Sequence, residues 1–125
     1  MKFLGTGSAL PKKVVSNDDL AQVMDTSDEW IRSRTGIGMR HIAVEETTTS
    51  MAVEAAEKAL ADAKISGCEI DLIIAGTISP DYIFPSLACE VQAAIGAKSA
   101  TAFDLSAGCS GFLFALATAD RSEER

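Results

Sequence analysis

The sequence has few of the residues that build metal sites, disulfide scaffolds or membrane spans. It holds three cysteines, one histidine and one tryptophan in 125 residues. Cys68, Cys89 and Cys109 form no Cys-x-x-Cys pair, and a single histidine cannot supply the usual zinc set. No run approaches the roughly 18 apolar residues of a membrane span, and the first residues lack the apolar block of a secretory signal. We therefore expect reduced thiols, no metal and a cytoplasmic location.

Positive charge is also scarce. Lys and Arg number 11 against 18 Asp and Glu, which gives a net charge of −7. Such a field repels nucleic acid and anionic membrane surfaces, so we expect neither as a partner. An anionic ligand needs a local basic patch, and the sequence offers one such cluster in Arg32, Arg34, Arg40 and His41.

The apolar residues, 47% of the chain, are arranged in alternating strands and helices. Residues 2–9 are typical of a short strand, and the nearly continuous apolar runs 70–78 and 100–105 are typical of strands covered on both faces. Helices are predicted over 86–95 and 112–119, and the second is apolar on nearly all sides, hence central and buried. This order predicts one compact α/β unit in which the three strands share a mostly parallel sheet.

Polar residues mark where further helices begin. Ser16-x-x-Asp19 and Thr26-x-x-Glu29 have the capping-box pattern, and Gly36 is placed to end the second of these helices before an extended segment over 37–44. A longer surface helix follows from Thr49. One stripe of that helix consists of small or slender side chains: Met51, Ala55, Ala59 and Ala63.

Cys109 lies at the junction of an apolar strand and an apolar helix, between Gly108 and Gly111. If Ser110 begins the helix, the sulfur lies where free backbone N–H groups and the positive end of the helix dipole favour thiolate over thiol. Glycines permit a sharp turn and the close approach of a substrate at the carboxyl end of the sheet. The functional interpretation is an acyl-accepting nucleophile. The alternative is a small buried residue that fills a tight turn.

Other residues with possible chemistry have simpler interpretations. Cys89, facing inward in a short helix, and Cys68, next to a glycine, are typical of structural cysteines. Trp30 is either an exposed binding residue or a helix anchor buried on the core. Gly5-x-Gly7 follows a predicted strand as a dinucleotide loop would, but Pro11 prevents a helix there, so a nicotinamide site is not expected.

Five segments together resemble the amino-terminal part of β-ketoacyl-acyl carrier protein synthase III, the condensing enzyme that starts type II fatty-acid synthesis. They occur in order and at the spacing of that family, and they cover essentially the whole chain: Gly5-Thr-Gly-Ser-Ala-Leu-Pro11, Asp25-Thr-Ser-Asp-Glu-Trp-Ile31, Arg34-Thr-Gly-Ile37, Phe84-Pro-Ser86 and Asp104-Leu-Ser-Ala-Gly-Cys-Ser-Gly-Phe112. The resemblance implies an α/β, thiolase-like fold with a layered mixed or parallel sheet and a central buried helix.

The resemblance also implies a reaction and its residues. Cys109 would take an acyl group, usually acetyl, from coenzyme A, which is a substrate and not a resident cofactor. Malonyl-acyl carrier protein would then lose carbon dioxide and attack the resulting thioester. Trp30 matches the residue that stacks on the adenine, and Thr26 and Arg34 match residues at the nucleotide end. Phe84 matches a residue that reaches the partner's acyl pocket in a homodimer, although ordinary loop packing is the alternative.

The sequence departs from the family pattern in one respect. The family also uses a histidine and an asparagine well downstream of the cysteine, whereas the histidine and asparagine of this chain, His41 and Asn17, lie upstream of Cys109 in segments that do not match. We therefore expect residues 1–125 to be the amino-terminal half of a condensing enzyme, with the carboxy-terminal half absent. Two functions stay open: an acyltransferase, or a catalytically incomplete module that binds coenzyme A or dimerises. The acyl chain length is open as well.

Overall fold

The computed structural model describes residues 2–122, which form two compact units. Leu10–Glu46 forms one, here called the insert unit. Residues 2–9 and 47–122 belong to the other, here called the sheet unit. The expectation of one compact unit is therefore corrected, because 10–46 makes its contacts mostly within itself.

Strands and helices alternate along the chain as the apolar pattern predicts. The insert unit contains β1 (Lys13–Ser16), α1 (Asn17–Ala21), α2 (Asp28–Thr35) and β2 (Met39–Ile42). The sheet unit contains α3 (Thr48–Ala63), β3 (Leu72–Gly76), α4 (Leu87–Ile95), β4 (Thr101–Leu105) and α5 (Gly111–Ser122), with 3-10 turns at Gly67–Glu69 and Gly108–Ser110. None of the helices within residues 2–122 has the length and apolar character that crossing a membrane requires.

The two apolar runs of the sheet unit form a parallel pair, as predicted. Leu72 lies opposite Thr101 and Gly76 opposite Leu105, so β3 and β4 end at the same edge. The connecting helix α4 packs on both strands, and its Leu87, Ala88 and Val91 are buried. This βαβ unit is the core that positions the Cys109 turn.

Residues 2–9 form no strand, so that part of the sheet prediction is wrong. The segment lies against the small-residue stripe of α3: a Cβ added to Gly5 would lie 2.6 Å from the carbonyl oxygen of Ala59. Its backbone bonds to side chains of the same helix, with the Thr6 N–H donating to Asp62 at 2.9 Å and Lys58 donating to the Ser8 carbonyl at 2.9 Å. The alanine stripe thus accommodates the glycines, and these backbone groups pair with a helix instead of a strand.

Helix α5 forms over the predicted residues, but within residues 2–122 it is not the buried central helix that we expected. Phe112 is 68% exposed, and Leu113 and Phe114 are also exposed. One side of α5 packs on β3 and borders an open groove of about 840 Å³ shared with Phe103. The apolar sequence of the helix indicates a need for cover that the described residues do not supply.

In the insert unit, β1 and β2 pair in antiparallel fashion, with Val14 opposite His41. The capping box at Ser16 and Asp19 is present as predicted. The predicted capping box at Thr26 is wrong by one residue, because it is the Ser27 hydroxyl that accepts the N–H of Trp30. Gly36 ends α2 in the left-handed conformation, as expected, with φ of 74°.

Candidate functional site

Cys109 lies in the 3-10 turn that joins β4 to α5, with its side chain exposed. The turn follows the carboxyl end of β4, and α5 begins directly against the end of β3. A Cβ added to Gly76 would lie 3.0 Å from the carbonyl carbon of Gly111, so the backbones of strand and helix are in contact. This contact places the thiol at the carboxyl edge of the parallel pair, where open α/β sheets bind ligands.

Helix α5 begins at Gly111, one residue before the predicted range 112–119 and one residue after Ser110, the start on which the thiolate argument depends. The Ser110 N–H donates to the Ala107 carbonyl at 3.1 Å, and the Gly111 N–H donates to the Gly108 carbonyl. These two amides therefore already have partners in the turn. Gly108 has a φ of 52°, a conformation that favours glycine at this position. The interpretation of Cys109 as a buried turn filler is contradicted by its exposure.

The other cysteines differ from Cys109 in their surroundings. Cys89 on α4 is half-buried, and its sulfur lies 3.8 Å from the carbonyl oxygen of Ala102. Cys68 is exposed in the turn before β3, with its sulfur 3.0 Å from the Ser66 hydroxyl. Cys89 is in the first turn of α4 but is not exposed, and Cys68 is exposed but precedes a strand instead of a helix.

Asp104, near the end of β4, has a role that the sequence analysis did not identify. Its carboxylate accepts the backbone N–H of Leu87 at 2.9 Å and that of Ala88 at 2.8 Å. It thus satisfies two amides of the first turn of α4, where negative charge is stabilising. An acidic residue inside an otherwise apolar strand is the signal that could have indicated it.

Trp30 and Arg34 form one group on α2. The Arg34 guanidinium lies 5.9 Å from the centroid of the indole, as expected for residues one helical turn apart. Trp30 is 58% exposed, so the interpretation as an anchor buried on the core is wrong. The pair presents an aromatic face with a cation beside it.

Thr26, the third predicted nucleotide contact, lies just before α2. Its hydroxyl oxygen is buried and has no hydrogen-bond partner among residues 2–122. Buried hydroxyl groups are usually paired, so Thr26 has hydrogen-bonding capacity to spare. The structure places it in the same segment as Trp30 and Arg34.

The remaining members of the predicted basic cluster bond within the insert unit. Arg32 pairs with Asp28 at 2.8 Å. Arg40 donates to the Val15 carbonyl at 3.3 Å and to Asn17. A ring nitrogen of His41 lies 2.5 Å from the Pro11 carbonyl oxygen. The expectation of a shared basic patch is therefore corrected, because these three side chains have separate structural partners.

Phe84 lies in the loop between β3 and α4 and is 89% exposed. Its neighbours Tyr82 and Ile83 are exposed as well. The loop is tied to α3 by Asp81, whose carboxylate accepts the N–H of Thr49 at 2.7 Å and that of Thr48 at 3.1 Å. The interpretation of Phe84 as an ordinary packed loop residue is not supported by this exposure.

The predicted site residues thus fall in both units. Thr26, Trp30 and Arg34 belong to the insert unit, whereas Phe84 and Cys109 belong to the sheet unit. No group of three or more His, Cys, Asp or Glu side chains within residues 2–122 is placed to hold a metal ion.

Known proteins match this chain closely. It is 62% identical over 112 residues to β-ketoacyl-[acyl-carrier-protein] synthase III of Streptococcus suis, a match that covers 90% of the chain and 34% of that protein. The crystal structure of 3-oxoacyl-[acyl-carrier-protein] synthase III from Aquifex aeolicus superposes with a TM-score of 0.93 at 56% identity, over 96% of this chain and 39% of that one. No family model matches the sequence.

A further solved structure is the priming β-ketosynthase of the R1128 polyketide pathway, with a TM-score of 0.94 at 40% identity. The match covers 98% of this chain and 37% of the polyketide-pathway protein. The chain therefore spans little more than a third of the length of the proteins that it matches. The predicted α/β, thiolase-like fold class and the resemblance to an amino-terminal part are confirmed.

Proposed function

Because this chain corresponds in sequence and fold to the amino-terminal part of β-ketoacyl-[acyl-carrier-protein] synthase III, we propose that it carries the acyl-accepting part of an acyltransferase of fatty-acid biosynthesis. The observation that carries the proposal is the exposed thiol of Cys109 at the carboxyl edge of β3 and β4. An exposed sulfur directly before a helix start is suited to nucleophilic attack.

In the proposed reaction, the Cys109 thiolate attacks the carbonyl carbon of an acyl-coenzyme A thioester. The new carbon–sulfur bond replaces the bond to coenzyme A, which leaves as a thiol after taking up a proton. Malonyl-acyl carrier protein then loses carbon dioxide, and the carbanion equivalent attacks the acyl-cysteine. The product is a 3-oxoacyl-acyl carrier protein, and the sulfur of Cys109 is released as thiolate.

The coenzyme would be bound through its nucleotide end by α2. The exposed indole of Trp30 offers a face for adenine, and Arg34 beside it offers positive charge for phosphate. Thr26 adds a hydroxyl without a partner among residues 2–122. These features suit a flat base joined to phosphates, and they lie in a chain that is otherwise acidic.

The condensation step needs more than these residues. Oxyanion donors typically contribute about 2.7–4 kcal/mol each to the stabilisation of such a step. His41 and Asn17 are engaged in bonds within the insert unit, so neither is proposed as a donor. We propose acyl transfer to Cys109 by residues 1–125, and condensation where the downstream histidine and asparagine of the family are supplied. The acyl carrier protein is the proposed second partner, and the cytoplasm the proposed location.

A second candidate function is a module that binds coenzyme A or dimerises without completing the reaction. The exposed apolar side chains of α5 and of the Phe84 loop favour it, because large apolar patches mark interaction surfaces. We propose a homodimer for the parent enzyme. Sedimentation of this chain should then show concentration-dependent association, and a monodisperse monomer at high concentration would contradict that expectation.

Mass spectrometry after mixing with acetyl-coenzyme A tests the primary proposal. We expect the mass of one acetyl group on the wild type and on Cys68→Ser, which removes the other exposed cysteine, but not on Cys109→Ser. Binding without any acylation of the wild type would favour the module. Acetylation that persists in Cys109→Ser would show the assignment of the nucleophile to be wrong.

A further inference from the structure

Asn17 is the most deeply buried large side chain of the described chain. It lies at the start of α1 and is 1% exposed. Its amide nitrogen donates to the Asp28 carboxylate at 2.8 Å and to the Ile37 carbonyl at 2.8 Å, and its oxygen accepts from Arg40. Both amide N–H groups are thus used, which leaves no donor of Asn17 unsatisfied.

These bonds join three elements of the insert unit around one amide. Asp28 is the first residue of α2, Ile37 follows α2, and Arg40 lies on β2. The backbone N–H of Asn17 also donates to the Gly38 carbonyl at 3.2 Å. Asn17 is therefore the point at which both ends of the α2 segment are attached to α1.

Helix α2 has little else to fix its orientation. It runs for eight residues and buries none of them, and short helices depend on tertiary contacts for their stability. Along it, Asp28 and Arg32 share one face and are paired at 2.8 Å. Trp30 and Arg34 are offset by two residues, about 200° around the helix, and so lie on the opposite face.

We propose that Asn17 is the positioning residue of the coenzyme site. By holding Asp28, it fixes the rotation and tilt of α2 and therefore the direction in which Trp30 and Arg34 project. This inference rests on the proposed function, in which that pair binds the nucleotide end of coenzyme A. The chemistry requires an amide: a carboxylate at position 17 would face Asp28 with like charge. An apolar residue would remove the bond to the Ile37 carbonyl and one of the two bonds of Arg40, which would keep its bond to the Val15 carbonyl.

The sequence provides its own probe of this inference, because Trp30 is the single tryptophan. The anisotropy decay of its fluorescence therefore reports motion at one position, on α2, together with the tumbling of the whole molecule, which wild type and variants share. In Asn17→Asp, we expect the anisotropy to decay faster. We also expect the affinity for coenzyme A, measured by calorimetry, to fall on the order of tenfold, which corresponds to the loss of one hydrogen bond to a charged group. A merely structural role would lower stability but leave the affinity unchanged well below the unfolding temperature.

A charge-swapped pair sharpens the test. Asn17→Asp combined with Asp28→Asn again sets an amide donor opposite a carboxylate, and we expect it to recover part of the affinity and of the slow decay. Asp28→Asn alone keeps an acceptor for Asn17, although an uncharged one, and should weaken binding less than Asn17→Asp does. Arg32→Ala, which breaks the ion pair on the same face, should stay near wild type. Absence of rescue by the swap would overturn the inference.

A second variant covers the case in which Asn17→Asp does not fold. Asp28→Ala removes the acceptor from the helix side and leaves the bonds of Asn17 to Ile37 and Arg40 in place. We expect it to show the same faster decay and weaker binding, and wild-type values in this folded variant would overturn the inference. If wild type itself does not bind coenzyme A, the proposed function fails, whereas the anisotropy comparison still decides whether Asn17 positions Trp30.

Discussion

The backbones of Gly76 and Gly111 touch where strand β3 ends and helix α5 begins. The contact is unequal: a Cβ on Gly76 would lie 3.0 Å from the Gly111 carbonyl carbon, whereas a Cβ on Gly111 would approach Gly76 no closer than 3.5 Å. The first distance is too short for an unstrained contact with backbone, and the second is an ordinary van der Waals contact. The start of the helix, and with it the Cys109 turn, is therefore set by the absence of a side chain at position 76.

This inequality predicts opposite effects of two similar substitutions. Gly76→Ala should destabilise the sheet unit by about 1–3 kcal/mol, since overpacking against backbone forces a shift. Gly111→Ala is the matched control and should be neutral or stabilising by up to about 1 kcal/mol, because alanine favours the helix. Urea denaturation measures both. Equal destabilisation by the two variants would contradict the proposed asymmetry.

Cys109 should be alkylated faster by iodoacetamide than the other two cysteines. Its side chain is exposed to the reagent and lies in the turn directly before α5, at the positive end of the helix dipole. Cys68 is the informative comparison because its side chain is also exposed but does not precede such a helix. Cys89 is half-buried and should react last. Peptide mapping at short reaction times gives the order. Labelling of Cys68 first would show that the position before α5 does not make Cys109 the more reactive thiol.

Trp30→Ala should weaken coenzyme A binding by about 1–3 kcal/mol, the usual value of stacking a base on an aromatic ring. Calorimetry at a fixed salt concentration measures the change. Val23→Ala removes another exposed apolar side chain of the insert unit and should bind as the wild type does. An unchanged affinity in Trp30→Ala would place the nucleotide elsewhere.

The stability of the sheet unit should fall in acid partly through Asp81. The backbone N–H of Thr49, with smaller contributions from its hydroxyl and from the Thr48 N–H, lowers the pKa of Asp81 from 3.8 to about 2. A carboxyl group whose folded pKa is depressed stabilises the fold above its unfolded pKa, and this contribution is lost as the pH falls from about 4 to about 2.

Denaturation curves between pH 5 and pH 2 test this expectation. Asp81→Asn should be less stable than wild type at pH 5 and should lose less of its stability on acidification. Glu57→Gln changes an exposed carboxylate of α3, and the stability of this variant should depend on pH as that of the wild type does. If the stability of Asp81→Asn also falls with pH as that of the wild type does, the Asp81 carboxylate does not stabilise the start of α3.

Local sequence patterns predicted much of this fold, for physical reasons that are visible in particular residues. The apolar runs around Ile73 and Phe103 specify two parallel strands, although the predicted cover on both faces is wrong for β4 within residues 2–122, where Phe103 is exposed. The caps at Ser16 and Gly36 depend on neighbours within a few residues. The thiol was identified because its glycine-framed junction is local as well.

What failed depends on contacts distant in sequence. The segment 2–9 has the composition of a strand, but the glycines at 5 and 7 pair with α3 instead. An apolar helix such as α5 indicates that cover is needed, not whether the same residues provide it. Asp104 bonds to amides 16 and 17 residues earlier; an acidic residue in an apolar strand indicates that it has a partner, but not that the partner is the start of α4.

Asp104 and Gly111 hold the two ends of the segment that carries the thiol. Asp104 is attached to the start of α4 through two amides, and Gly111 rests on Gly76. Residues 105–110 therefore form a short span of chain that is fixed at both ends. Most of the conformational entropy of this span is already lost when the protein folds. Capture of an acyl donor then requires little further ordering. Weakening the contacts of Asp104 or of Gly111 should therefore reduce the rate of acylation even where the thiol itself is unchanged.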